Sequence, residues 1–192
     1  FLMPGDLCVR DRLLLLAHDD HDFQLRIDQR VLSLGMAGAV LVDLILARRI
    51  SIVNRVVTID DCGSVGDLIT DQALAALRLG ARYPSAPHAG RAAPLRVAAS
   101  LQELIVDLAS GLYERTSDSL IVAGVVTGTP WSGCRLSACR TTMNHVRDGA
   151  RDAVLGQGAD VGTDALCALI RVLRLHDALH LDDFGAIDPA LA

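Results

Sequence analysis

LGMAGAVLVDLILARRI, residues Leu34 to Ile50, decides how this chain folds. Apolar or small side chains occupy nearly every side of the helix it would form. Such a helix is buried, either in protein or in lipid. About 16 residues at a rise of ~1.5 Å reach only about 24 Å, short of the roughly 30 Å of a bilayer core. Asp43 lies inside the run, where lipid would cost about 2.5–3.5 kcal/mol for its carboxylate. The central helix of a bundle therefore fits the stretch better than a membrane span. Gly35 and Gly38, with Ala37 and Ala39, let neighbouring helices approach closely.

Amphipathic elements extend outward from it. Asp6 to Ala17 forms a first helix ending in the leucines Leu13 to Leu16, followed by a polar break at His18 to Asp22. Phe23 to Ile27 alternates apolar and polar residues, the pattern of a short strand. Downstream, Ile50 to Ile59 predicts a β-hairpin about Asn54-Arg55. Ser64, three residues before Asp67, approximates a capping box for a helix with Ile69, Ala73, Ala76 and Leu77 on one face and Gly80 as its stop. Arg82 to Pro94, with three prolines, is a loop. Ser100-Leu101-Gln102-Glu103 is a clean capping box. It opens a helix carrying Leu101, Leu104, Ile105, Leu108 and Leu112 that continues less regularly to Ala123, where Gly124 ends it. A second hairpin follows from Val125, then a helix over Arg140 to Leu155. Thr163 caps a last helix with Leu166, Leu169, Ile170 and Leu173. The expected fold is mainly α: a single domain over residues 1–192, with a central buried helix surrounded by amphipathic helices and short β-hairpins.

Composition agrees. The chain has 192 residues, 51% hydrophobic and 21% charged, enough to bury a real core. Aromatics are only 3%, so that core is aliphatic. The net charge of −5 argues against non-specific nucleic-acid binding, which needs excess basic charge. A local basic patch can still favour an anionic membrane. All 18 basic residues are Arg, a bias that fits a GC-rich, bacterial coding sequence. Cys8, Cys62, Cys134, Cys139 and Cys167 are odd in number and form no CxxC pair, which suits a reducing cytosol and argues against a disulfide framework or structural zinc. Phe1 is not a Met, so the natural chain can begin earlier. The first residues lack the order of a signal peptide.

The order of elements and a set of short motifs resemble one family. The motifs are Leu13-Leu14-Leu15-Leu16 before the polar break, Gly35 to Leu44 ending in Arg49-Ile50, and Gly66-Asp67-Leu68 with Asp71 and Ala73-Leu74. Arg115, Gly124-Val125-Val126 and Ala165 to Leu169 extend them. On these residues the chain resembles the Golgi phosphoprotein 3 family. The resemblance implies a mainly helical domain around one buried helix. It also implies reversible membrane association: the eukaryotic members bind phosphatidylinositol 4-phosphate in a basic pocket and dip an apolar hairpin into the bilayer.

Position by position, that pocket is not retained. The family's headgroup Trp falls at about Asp28, one Arg at Ala37, and two further Arg near Ser110 and Tyr113. A phosphomonoester is best held by Arg forks, which these four residues cannot supply. Arg26, Arg30 and Arg115 lie near the same positions and are the candidate lipid-binding residues; their plainer role is as solvated surface arginines. The family's membrane hairpin aligns with Val125 to about Arg140. The chain's only Trp, Trp131, lies near its tip, either at a headgroup boundary or folded back on the domain. Arg135 and Arg140 are placed to contact lipid phosphates or to keep the hairpin soluble.

Catalytic signals are weak. His176-Asp177-Ala178-Leu179-His180 puts two imidazoles one turn apart, with Asp182 or Asp183 as a third ligand type. A zinc site needs three ligands and an open position, and the segment fits the family's last helix. No nucleophile elbow, phosphate-binding loop or dinucleotide fingerprint occurs. The expectation is a non-enzymatic protein without cofactor, metal or catalytic residue. Its expected partner is an anionic phospholipid or membrane surface, and its place is cytoplasmic, peripheral on a membrane's inner face. The alternative is a protein-interaction or homo-oligomeric scaffold that kept the fold without lipid binding.

Overall fold

The computed structural model describes residues 7–19, 23–82, 95–127, 137–138, 140–155 and 160–179. Helix α2 (Gln29–Leu46) runs through the middle. Around it lie α1 (Val9–Leu16), α3 (Leu68–Leu79), α4 (Leu101–Ala109), α5 (Leu112–Val122), α6 (Arg140–Val154) and α7 (Val161–Val172). A four-stranded antiparallel sheet, β1 (Ile50–Val53), β2 (Val56–Ile59), β3 (Ala81–Arg82) and β4 (Leu95–Val97), is ordered β1-β2-β4-β3. A second ribbon pairs β5 (Val126–Thr127) with β6 (Ser137–Ala138). A 3-10 turn, His176–Leu179, follows α7. The mainly α architecture matches the expectation from sequence.

Helix α2 touches α1, α3, α4, α5, α7 and β1. Leu32, Met36, Ala37, Ala39 and Leu44 are wholly buried. Among the described residues it is the one helix long and apolar enough to cross a membrane, yet other helices cover it. It begins and ends earlier than its apolar run suggests. The Asp28 carboxylate accepts the Arg30 N–H at 2.8 Å and caps its start. At its end Arg48 adopts φ 56°, while the Arg49 N–H reaches Leu44 O and the Arg48 N–H reaches Ile45 O, both at 2.9 Å. That pattern is a Schellman motif, usually built on glycine. With Arg in the left-handed position the sequence carries no stop signal, and Ile50 already belongs to β1.

Helix α1 is nearly as buried. Leu13 to Leu16 are at most 1% exposed, and such leucines are worth about 1.5–3 kcal/mol each. A buried helix must have its polar groups satisfied from within. Cys8, at the N-cap, makes no side-chain cap bond. Instead Asp43 Oδ1, on α2, accepts the Val9 N–H at 3.1 Å. Arg10 is 0% exposed and donates to Asp67 (Nη1 to Oδ2, 2.9 Å) and to Asp11 (Nη2 to Oδ1, 2.8 Å). Burial alone would lower its pKa, but the hydrogen bond to Asp67 and the surrounding carboxylates outweigh that and keep the guanidinium charged. Asp67 also caps α3, accepting the Thr70 N–H at 2.7 Å and the Thr70 hydroxyl at 2.6 Å. Ser64 is therefore not the cap; its hydroxyl donates to Asp71.

Other local expectations shift for similar reasons. Asn54 and Arg55 both take positive φ (51° and 63°), the twist a two-residue hairpin needs. Phe23 to Ile27 forms no strand: Phe23 has φ 53°, and only the bridge between His18 and Leu25 remains. The Ser100/Glu103 capping box is present. The helix it opens stops at Ala109, because Gly111 at φ 63° turns the chain and starts α5. The cap of α7 is Asp160, accepting the Thr163 N–H at 2.8 Å, rather than Thr163. The Thr163 hydroxyl instead accepts from Arg12 at 3.3 Å, tying α7 to α1. Residues 83–94 of the expected loop lie outside the described residues.

Two outcomes follow for stability, both measurable by urea denaturation. A Cβ on Gly35 would lie 2.6 Å from Leu173 Cδ1, whereas one on Gly38 would sit 3.7 Å from Leu169 Cδ2. Gly35→Val should cost about 1–3 kcal/mol through overpacking, and Gly38→Ala should be neutral or stabilising by about 0.5–1 kcal/mol. Arg10→Ala should cost about 3–5 kcal/mol, the range for breaking a buried ion pair; Arg10→Met, which refills the volume, should cost less.

Candidate functional site

The first turn of α2 and the last turn of α4 leave an open groove between them. Asp28, Gln29, Arg30, Ser33 and Leu34 form one wall, Val106 and Ala109 the other, and the Ser110-Gly111 turn closes the end. Its volume is about 670 Å³. The apolar lining is solvent-facing: Leu34 is 41% and Val106 56% exposed. Val106 breaks the helical spacing of Leu101, Leu104, Ile105 and Leu108, a sign of an outward apolar residue that was available in the sequence. Arg30 is exposed, and among the described residues nothing accepts from its guanidinium. The Gln29 side-chain amide donates to Glu114 at 2.8 Å and holds α5 beside the groove.

The three candidate arginines are not brought together. Arg30 alone lines the groove. Arg26 pairs with Asp19 at 3.2 Å and donates from Nε to the His18 carbonyl at 3.3 Å, which commits it to the turn before α2. Arg115 lies on a separate cleft and donates to the Gly111 carbonyl at 3.2 Å and to the Ser110 carbonyl and Gln72 Oε1 at 3.4 Å. Of the four positions aligned with the family's headgroup pocket, Asp28 and Ser110 line the groove. Ala37 is fully buried. Tyr113 turns toward His18. Arg140 is exposed at the start of α6. The β5–β6 pairing places a hairpin where one was expected, while Trp131 and Arg135 lie outside the described residues.

An aromatic cluster around buried His18 joins α1 to α5. His18 is 1% exposed, stacked on Phe23 with centroids 4.1 Å apart and planes 13° apart. Its Nδ1 lies 2.7 Å from the Leu14 carbonyl and its Nε2 3.2 Å from the Tyr113 hydroxyl. A carbonyl can only accept, so Nδ1 carries the proton and Nε2 accepts from Tyr113. Burial pushes the imidazole down to about 4, so it is neutral at pH 7. The sequence pattern predicts a polar break here. Its first residue is instead an internal strut holding α1 to α5.

No group of three or more His, Cys, Asp or Glu that could hold a metal occurs among the described residues. His176 sits on the 3-10 turn, whose Ala178 carbonyl accepts from Arg147 Nε at 2.9 Å. His180 and Asp182 lie outside the described residues.

One buried helix packed against five others, with an open groove carrying Asp28, Arg30 and exposed apolar side chains at its N-terminal end, defines a mainly helical domain. The chain belongs to the Golgi phosphoprotein 3 (GPP34) family, whose model matches residues 9–189. No curated protein matches it.

The His18 strut should make stability pH-dependent. Its folded pKa, about 4, lies below the ordinary 6.5. The unfolded chain therefore binds more protons as pH falls from 6.5 to 4. Stability should fall across that window, by about 3 kcal/mol for a shift of this size. Asp67, held below the usual carboxylate range, adds acid sensitivity only below 3.8. Asp43, raised by burial, acts in the opposite sense. Melting temperatures of the parent and His18→Gln between pH 7 and 4.5 check this; the parent should show the steeper slope.

Proposed function

We propose that this protein docks reversibly on an anionic membrane surface through the groove at the start of α2, without catalysing a reaction. The observation that carries the reading is the Arg30 guanidinium, without an acceptor among the described residues, beside exposed Leu34 and Val106. A cation next to outward apolar side chains suits the boundary between headgroups and acyl chains. One such arginine near an anionic leaflet contributes about 1 kcal/mol, and Asp28 on the same wall opposes it. Membership of the Golgi phosphoprotein 3 family supports a role in lipid or protein contact.

The ligand we propose is an anionic phospholipid recognised by charge rather than phosphatidylinositol 4-phosphate held in a dedicated pocket. Asp28, Ala37, Ser110 and Tyr113 provide no guanidinium fork for a phosphomonoester. The segment between β5 and β6, expected from the sequence to carry Trp131 and Arg135, together with Arg140 at the start of α6, is the second contact in this scheme, and the cytoplasmic face of a membrane is the proposed location. A scaffold role is the alternative, favoured by the Asp28 carboxylate on the groove wall, which suits a basic protein segment better than a lipid phosphate.

Vesicle co-sedimentation tests the proposal. The parent should pellet with phosphatidylglycerol-containing vesicles at low salt and be released as salt rises. Arg30→Glu should weaken that binding several-fold. Phosphatidylinositol 4-phosphate should confer no advantage beyond its charge. Trp131 fluorescence should shift to the blue on binding. A protein that stays in the supernatant with all anionic vesicles, and forms a stable oligomer by light scattering, would sink the membrane reading in favour of the scaffold.

A further inference from the structure

A second concavity lies where α4 meets α5, against α2 and α3, and it shares no lining residue with the groove. Gly111, at φ 63°, folds the start of α5 back so that the last turn of α4 and the first turn of α5 face the same cleft. The walls are apolar. Val40, Ile69, Ala73 and Leu112 are each at most 6% exposed. The volume is about 170 Å³, close to that of the roughly 150 Å³ apolar cavity known to take up benzene.

Its rim carries one charge of each sign. Arg115 and Asp107 both line the cleft, on either side of the Ser110-Gly111 turn. Arg115 is tethered to the Ser110 and Gly111 carbonyls and to the Oε1 of Gln72, which also lines the cleft, and the Asp107 carbonyl accepts the Ser110 N–H at 3.3 Å. The two side chains form no ion pair with each other among the described residues. These three bonds leave one N–H on each terminal nitrogen of the guanidinium free to meet a ligand. An apolar pocket with a cation and an anion at its mouth is complementary to a zwitterion with a compact apolar body. A plain carboxylate would be repelled by Asp107, and a plain amine by Arg115.

We propose that this cleft binds a free apolar α-amino acid of leucine size, with its carboxylate on Arg115, its ammonium on Asp107, and its side chain against Val40, Ile69 and Ala73. The site is independent of the membrane reading and stands or falls separately from it.

Isothermal titration calorimetry with the full chain tests it, using L-leucine, 4-methylpentanoate and 3-methylbutylamine, each up to about 10 mM, a range in which millimolar dissociation constants still register. Leucine should bind. The acid lacking the ammonium and the amine lacking the carboxylate should each bind about tenfold more weakly, since each leaves one rim charge without its partner. Arg115→Gln and Asp107→Asn alter exposed side chains, so both variants should fold, and both should reduce leucine affinity to the level of the matching analogue. Ala73→Leu should abolish binding by filling the cleft. Absence of leucine binding, equal affinity for leucine and either analogue, or unchanged affinity in the two charge variants would overturn the assignment. None of these outcomes bears on vesicle binding, which reads Arg30.

Discussion

Arg10 has no contact with water, and the rest of the fold is arranged to tolerate that. A buried guanidinium is stable only when its donors are met by charge. Here one carboxylate comes from the next residue, Asp11, and the other from Asp67, the cap of α3. Asp67 thus starts one helix and neutralises a charge on another. Asp43 does something similar from α2, closing the N-terminus of α1 through the Val9 N–H. Three helices are therefore held in register by two carboxylates, Asp43 and Asp67, that each satisfy a group on α1 from another element. Apolar packing supplies most of the favourable energy, but it is non-directional. The carboxylates fix how α1 sits between α2 and α3.

That arrangement explains which parts of the fold were legible in the sequence. The α2 run, the Ser100/Glu103 capping box and the Asn54-Arg55 hairpin rest on local rules, and they appear where those rules put them. The ends of α2 and α7 do not, because each is followed by an arginine in the left-handed region, Arg48 and Arg174, both at φ 56°. Sequence patterns reserve that position for glycine, which pays no steric cost there. Ser64 and Thr163 were plausible caps by spacing, yet Asp67 and Asp160 take the roles. Asp67 does so partly because it is drawn to Arg10, 57 residues away. Such long-range pairing leaves no periodic trace.

The groove was only half legible. Asp28 and Ser110 were marked as positions of a family pocket, and both line one groove. That Arg26 and Arg115 would be drawn elsewhere depends on the His18 carbonyl and on the Gly111 turn, neither of which spacing reveals. His18 itself was hidden by its neighbours. Followed by two aspartates in the sequence, it reads as part of a polar break, whereas its ring stacks on Phe23 inside the protein. Polar neighbours describe a segment's average exposure, not the direction of one side chain.

The bond from Arg12 to Thr163 joins residues 151 positions apart, and α7 packs on both α1 and α2. During synthesis the chain emerges from its N-terminus, so the leucines of α1 and the apolar flank of α2 exist long before the helix that covers them. The nascent protein must pass through an interval with that flank exposed. Leu13 to Leu16 therefore depends for its cover on a segment made about 150 residues later, and transient exposure of such surface is what makes a folding intermediate prone to aggregate.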